Sequence, residues 1–344
     1  MTDGNIVGTG ERIQLSHGSG GLMMQRLIRE IFFPAFGADN DAGFDDAAEI
    51  TLHDGPLAFS TDSFVVKPLF FPGGDIGSLA VSGTVNDILM KGAKPYCLSL
   101  ALIIEEGFPL AELKTIVKSL ADTAKIADVR IVTGDTKVVG RGEIDGLVIN
   151  TSGIGEILPN ASISGVNARP GDVLLVSGEV GNHGIAVMAE RNGLKLKGNI
   201  ASDAAPLNAS VIPMLERFGE SVHVLRDPTR GGVAATINEI AEASKVTVLL
   251  DESSLPVGRE VEAVSELLGF DPLYLPCEGR FLAFVDGGKA ESILRFLRED
   301  AGCPDATQIG TVTETSNGEV LMTTVSGGQR IIDMPAGELL PRIC

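Results

Sequence analysis

Apolar residues in this chain fall into two alternating spacings, and that alternation most narrows what it can fold into. Strand-like runs cover 57–61, 96–105, 129–133 and 147–157. Between them, 22–32, 76–91 and 110–127 carry apolar residues at helical spacing. The mixture excludes an all-helical bundle or an all-β sandwich and predicts a mixed α+β or α/β architecture. Residues 47–52 read as one more strand, turned into 57–61 by His53-Asp54-Gly55-Pro56. The second half continues with strands at 172–177, 222–225, 246–251 and 281–285, and with helices at 185–191, 207–218, 233–243, 261–268 and 291–298. A polar stretch closing on Pro170-Gly171 divides the halves. The expected organisation is a domain over 1–158, a second over 159–333 and a tail over 334–344.

Composition removes several function classes. Hydrophobic residues make up 44% and charged residues 21%, a globular balance. No apolar stretch reaches the ~20 residues of a membrane span, and the opening Met1-Thr2-Asp3-Gly4 has no signal-peptide character, so a cytoplasmic protein is expected. A formal net charge of −19 argues against nucleic acid. The same charge means that a bound nucleotide needs divalent cations between its phosphates and the carboxylates. The four cysteines form no CxxC pair and no zinc-like spacing. Three read as reduced structural thiols. The fourth, Cys344, stands in the last position, where core packing seldom accounts for a cysteine.

Aspartates mark the segments with chemistry in them: Asp45-Asp46, Asp62 after Ser60-Thr61, Asp87 after Asn86, and Asp135 in Gly134-Asp135-Thr136. Read as strand-end and loop residues, Asp45, Asp46, Asp62, Asp87 and Asp135 can converge on one cleft, where hard oxygen ligands suit Mg²⁺ on phosphate. Taken one at a time, each is equally an N-cap or an Asx turn. His17-Gly18-Ser19-Gly20-Gly21 opens a helix, a place for an anion or an ordinary helix entry, and matches neither a Walker A loop nor GxGxxG. Arg230, in Asp227-Pro228-Thr229-Arg230-Gly231-Gly232, is a phosphate partner or a solvated loop arginine. Lys137, just past the Gly134-Asp135-Thr136 turn, meets a reacting group or faces solvent. Glu278, between apolar strand segments, is a candidate proton carrier if burial raises its pKa, or a paired structural acid. No Ser/His/Asp pattern is visible, and four scattered histidines make no metal site.

Together, Asp45-Asp46-Ala47-Ala48, Ser60-Thr61-Asp62, Asn86-Asp87-Ile88-Leu89, Gly134-Asp135-Thr136-Lys137, Asp227-Pro228-Thr229-Arg230-Gly231-Gly232 and the ending Pro341-Arg342-Ile343-Cys344 closely resemble the HypE family. These are hydrogenase maturation factors, carbamoyl dehydratases within the aminoimidazole ribonucleotide synthetase-like (PurM-like) ATP-binding superfamily. The likeness runs over essentially the whole chain. Its aspartate motifs identify only the superfamily, whereas Pro-Arg-Ile-Cys is particular to HypE.

The resemblance implies a PurM-like two-domain fold, with the first domain joined to its copy in a homodimer through a β-barrel-like sheet and a flexible tail bearing Cys344. It implies ATP at Gly18, Gly20, Gly21, Thr61, Asn86, Gly134 and Arg230, and Mg²⁺ with the nucleotide at Asp45, Asp46, Asp62, Asp87 and Asp135. Its substrate is a carbamoyl group delivered to Cys344 by the carbamoyltransferase HypF and dehydrated from thiocarboxamide to thiocyanate, with Glu278 and Lys137 near the nitrogen. Cyanide then passes to iron on a HypC–HypD complex. At ~3.3 Å per residue the eleven-residue tail spans up to ~35 Å, enough to enter a cleft, although chain ends are commonly frayed. The competing expectations are a small-molecule kinase of the thiamine monophosphate kinase or selenide, water dikinase type, and a non-catalytic cysteine carrier.

Overall fold

The computed structural model describes residues 12–37, 47–52, 54–194, 200–314, 318–337, 340 and 343–344. Asp45 and Asp46 lie outside the described residues, as do Pro341 and Arg342. The chain forms two αβ blocks, as the alternating spacings require. After α1 (Leu22–Leu27) and α2 (Phe33–Phe36), joined by a π turn over Ile28–Phe32, the first block runs β1 (Leu57–Phe64), β2 (Phe70–Phe71), β3 (Gly74–Asp75), α3 (Ile76–Met90), β4 (Ala93–Glu105), α4 (Leu110–Ile126), β5 (Arg130–Val139) and β6 (Leu147–Ile157). The second runs β7 (Asp172–Val176), α5 (Asn182–Arg191), α6 (Asn208–Phe218), β8 (Val222–Arg226), α7 (Gly232–Ser244), β9 (Thr247–Asp251), α8 (Arg259–Leu268), β10 (Leu282–Asp286), α9 (Ala290–Glu299), β11 (Thr307–Thr313), β12 (Val320–Thr323) and β13 (Gln329–Ile331). No helix among the described residues is long and apolar enough to cross a membrane.

The first block is a four-stranded sheet in the order β1-β6-β4-β5, antiparallel except for the β4–β5 pair. Helices α3 and α4 cover one face. Strand alternation shows which face is covered. On β1, Ala58 and Phe64 are buried against the helices, while Leu57 and Phe59 are exposed on the other side. Ile103 of β4 is exposed there as well. Among the described residues, then, helices cover one face of this sheet and apolar side chains stand bare on the other. The second block is a seven-stranded sheet, β13-β12-β9-β11-β7-β10-β8, parallel only between β9 and β12.

Helix α3 joins the blocks. Asp75 starts it, accepting the Gly77 and Ser78 amides at 2.7 and 3.0 Å in a capping box. Small residues such as Gly77, Ala80 and Gly83 let it sit close to its neighbours, and it packs on β1, β6 and β4 as well as on α6 and β8. Asn86 fastens that contact. Its Nδ2 donates to the oxygens of Ala205 (3.1 Å) and Glu278 (3.2 Å), and its Oδ1 accepts from the Leu207 amide at 3.0 Å.

Three sequence expectations change here. Residues 47–52 form no strand, and among the described residues β1 pairs only with β6. Gly134-Asp135-Thr136-Lys137 is not a turn but the middle of β5, because Thr136 and Val138 alternate inward and carry the strand on. Asp62 likewise lies within β1 rather than beyond its end.

Candidate functional site

A cavity of about 100 Å³ opens where the free edge of β1, the body of α3 and the loop after β8 meet. The first block contributes Thr61, Asp62, Gly83 and Asp87; the second contributes Asp227, Thr229, Arg230 and Glu278; Cys344 closes it. Gly83 leaves room for Phe64, since a Cβ there would lie 2.8 Å from its ring and 3.8 Å from the Asp62 carboxylate.

Four carboxyl groups share this space with one cation among its described lining residues, Arg230, 4.0 Å from Asp62. Burial raises the pKa of Asp62, against the pull of the Ser63 amide and Arg230. It raises Asp87 too, and the Asp62 charge adds to this although Ser60 donates to Asp87 at 2.7 Å. Asp227 is pushed up to about 7, first by burial and then by the Asp87 charge. Glu278 stands well above the usual carboxylate range, through burial and then the charges of Asp227, Asp203, Asp62 and Asp87. One of its oxygens, Oε1, is buried without a hydrogen-bond partner. Such a cavity is short of positive charge, and hard oxygen donors of this kind suit a divalent cation. Among the described residues no three of His, Cys, Asp and Glu are close enough to hold a metal by themselves. A cation here therefore needs oxygen ligands from a bound molecule, as when it bridges to phosphate.

The tail ends in this cavity. Leu340 and Ile343 are buried in a core cluster that spans both blocks, and burial of an isoleucine side chain contributes roughly 1.5–3 kcal/mol. The Ile343 oxygen accepts from His183 at 2.8 Å, and the Cys344 oxygen accepts from the Val65 amide at 3.3 Å. A tail expected to be flexible thus has its end seated. Burial and the nearby Glu278 charge push the Cys344 thiol well up, with Arg230 pulling the other way. Cys97, Cys277 and Cys303 are buried, and Cys344 is half-buried.

The expected site residues divide into two groups. Thr61, Asp62, Asp87, Arg230, Glu278 and Cys344 come together. Asp135 and Lys137 do not join them within one chain. They lie on β5, the edge opposite β1, and alternate with buried Thr136 and Val138, so they point away from α3. Asp62 shares the α3 face with Ala58 and Phe64. Three strand spacings separate the two edges, roughly 14 Å. Gly134, on the same strand, packs against β4, where a Cβ would meet the Leu100 oxygen at 2.6 Å. Gly18 belongs to that edge as well, since a Cβ there would meet the Val138 amide nitrogen at 2.4 Å. Gly20 and Gly21 have positive φ angles and lead into α1, with nothing within 4 Å of where a Cβ would be. Asn86 is buried and its amide is fully engaged between the blocks, so it fastens α3 rather than facing the cavity.

Asp227 was visible in its motif without being singled out. Its signal was the Asp-Pro step after a strand. Asp203, whose oxygen accepts the Glu278 amide at 3.2 Å, had no sequence signal.

Comparison with known proteins shows what the chain as a whole is similar to. Residues 44–157 match the AIR synthase related protein N-terminal domain, and residues 169–323 match its C-terminal domain. The carbamoyl dehydratase HypE of Cupriavidus necator is 47% identical over 336 residues, covering 97% of this chain and 95% of that one. A crystal structure of the hydrogenase maturation protein HypE in complex with ATP has 45% identity and a TM-score of 0.91, covering 96% of this chain and 99% of that one. The structure of a HypE–HypF complex contains a chain 48% identical, with a TM-score of 0.79, covering 90% and 99%.

Proposed function

The chain belongs to the HypE family of hydrogenase maturation proteins, and from that membership we propose that it is an ATP-dependent dehydratase acting on a carbamoyl group carried by its own Cys344. The seat of Cys344 among Asp62, Asp87, Asp227 and Glu278 supports this most directly. A half-buried thiol whose pKa is raised has little thiolate character, which suits a carrier already esterified better than a free nucleophile. Holding the substrate on the tail makes the reaction intramolecular and raises its effective concentration. In this reading residues 1–158 bring the acids of β1 and α3, residues 159–333 bring Arg230 and Glu278, and residues 334–344 bring the substrate. The setting is cytoplasmic.

ATP supplies the phosphoryl group that turns the amide oxygen into a leaving group; Asp62 and Asp87 are the residues that would hold Mg²⁺ with its phosphates. Arg230 steadies developing negative charge at the cavity mouth. Glu278 is the proton acceptor for the carboxamide nitrogen. Burial and the surrounding acid charges favour its protonated form, and positive charge held beside Asp62 and Asp87 would lower its pKa and favour the carboxylate. As the C–O bond breaks with phosphate leaving, one N–H proton goes to Glu278 and the other leaves with the phosphate, and the carbon–nitrogen bond becomes the triple bond of a thiocyanate on Cys344.

A homodimer belongs to the same proposal. The bare face bearing Leu57, Phe59 and Ile103 is the surface a second copy would cover. Asp135 and Lys137 project on that face, so their roles with nucleotide and substrate depend on the pairing. The carbamoyl donor is a HypF protein and the cyanide acceptor a HypC–HypD complex. Deletion of residues 341–344 tests the whole reading. Carbamoyl-dependent ATP turnover falls to background in this account; turnover that persists with a diffusible acceptor would identify a small-molecule kinase instead.

A further inference from the structure

His183 is the second residue of α5 and is fully enclosed. The helix can lie against the 275–276 segment because Gly184 has no side chain; a Cβ there would meet the Pro276 ring at 2.9 Å. The two ring nitrogens have partners of different kinds. Nδ1 lies 2.8 Å from the Ser202 hydroxyl, and Nε2 lies 2.8 Å from the main-chain oxygen of Ile343. A carbonyl oxygen only accepts, so Nε2 carries the hydrogen and donates it to the tail. Nδ1 then accepts from Ser202, whose oxygen in turn accepts the Ala204 amide at 3.0 Å. Phe71, from the first block, closes edge-on at 5.5 Å. The ring is held on all these sides with one hydrogen aimed at Ile343. One residue further, Val65 of the first block donates its amide to the Cys344 oxygen. Each block therefore makes one main-chain contact to the last two residues.

We propose that His183 is the positioning residue of the tail, donating to Ile343 the hydrogen bond that sets the register in which Cys344 enters the acidic cavity. It acts through the peptide unit and not on the thiol. Burial of the Ile343 side chain supplies affinity, but an apolar contact tolerates sliding; a directed hydrogen bond to one carbonyl does not. Loss of the bond leaves the Ile343 oxygen buried and unpaired, which favours a tail that has left the cavity. The inference rests on Cys344 as bearer of the reacting group, yet the test below makes no use of that reaction.

The full chain is treated with iodoacetamide in the absence of nucleotide, and labelling is followed by intact mass and peptide mapping. Cys97, Cys277 and Cys303 are buried, so the native chain takes its label at Cys344, at the rate set by departure of the tail. His183→Leu keeps bulk and removes the donor; labelling of Cys344 should be about tenfold faster or more. His183→Gln restores an N–H donor at the end of the side chain and should return the rate to within about threefold of the parent. An unchanged rate in His183→Leu overturns the proposal, as does a glutamine variant labelled as fast as the leucine variant. Labelling of all four cysteines together also overturns it, since His183 would then be holding the fold and not the tail. Failure of the dehydratase reading would show differently, as absent ATP-dependent chemistry in the parent chain with the labelling pattern intact.

Discussion

Replacing Asp227 by Asn removes one ionisable group from the acid cluster while keeping its shape. Asp227 is 8% exposed, and its pKa rises from 3.8 to about 7, by burial first and the Asp87 charge second. Between these values the folded chain holds a proton that the unfolded chain releases, so stability falls as pH rises. Integrated over that window, the acid costs the fold about 4 kcal/mol at pH 8 and about 2 kcal/mol at pH 5. The asparagine variant escapes both costs. Any gain or loss from the new amide is the same at every pH, so the diagnostic quantity is the difference. Denaturation of parent and variant in metal-free buffer should show the variant gaining roughly 2–3 kcal/mol more at pH 8 than at pH 5. Relief of Glu278, whose pKa the Asp227 charge raises, adds to that figure. An equal stability difference at the two pH values would refute the electrostatic account of the cavity. The same variant should be impaired in carbamoyl dehydration, since the cluster that strains the fold is the one proposed to act.

Four further outcomes follow from the geometry. Cys344→Ala should abolish thiocyanate formation while nucleotide affinity by calorimetry stays within about threefold, because the thiol is not the proposed nucleotide ligand. Asp62→Asn should weaken ATP binding about tenfold or more in the presence of Mg²⁺ and much less in its absence; equal titrations would remove Asp62 from the metal site. Gly279→Ala places a Cβ 1.7 Å from the Asp203 oxygen and 3.0 Å from the Ala205 amide, both backbone, so it should cost about 3 kcal/mol or more in thermal denaturation. Phe59→Asp, at a residue 70% exposed on the bare sheet face, should shift the proposed homodimer toward monomer in sedimentation analysis without lowering the melting temperature of the monomer.

Much of this fold is legible because its long elements are strongly periodic. Helical spacing over 76–91 and 110–127 becomes Ile76–Met90 and Leu110–Ile126, and the strand at 147–157 is Leu147–Ile157. The site is legible in composition more than in arrangement. Asp62 and Asp135 both look like acids set among small residues, but one sits on the inner face of an edge strand and the other on the outer face of the opposite edge. Parity decides this, and parity cannot be assigned while Gly134-Asp135-Thr136-Lys137 reads as a turn. Asn86 and Asp87 are neighbours in sequence, yet successive helix residues point about 100° apart. Asp87 consequently faces the cavity while Asn86 faces the second block. Gly181-Asn182-His183-Gly184 reads as a glycine-rich helix entry, but the role of His183 is not legible there, since its partner is a main-chain oxygen 160 residues away.

The central claim is that the group carried by Cys344 is transformed within this chain at the expense of ATP. Its most direct test is the mass of the tail peptide. The chain is loaded with a carbamoyl group on Cys344, freed of donor, and incubated with ATP and Mg²⁺. The account predicts that the loaded peptide loses the elements of one water, with one ATP hydrolysed for each tail converted. Hydrolysis of ATP with the carbamoylated peptide unchanged, or a mass change on Cys97, Cys277 or Cys303, would contradict it.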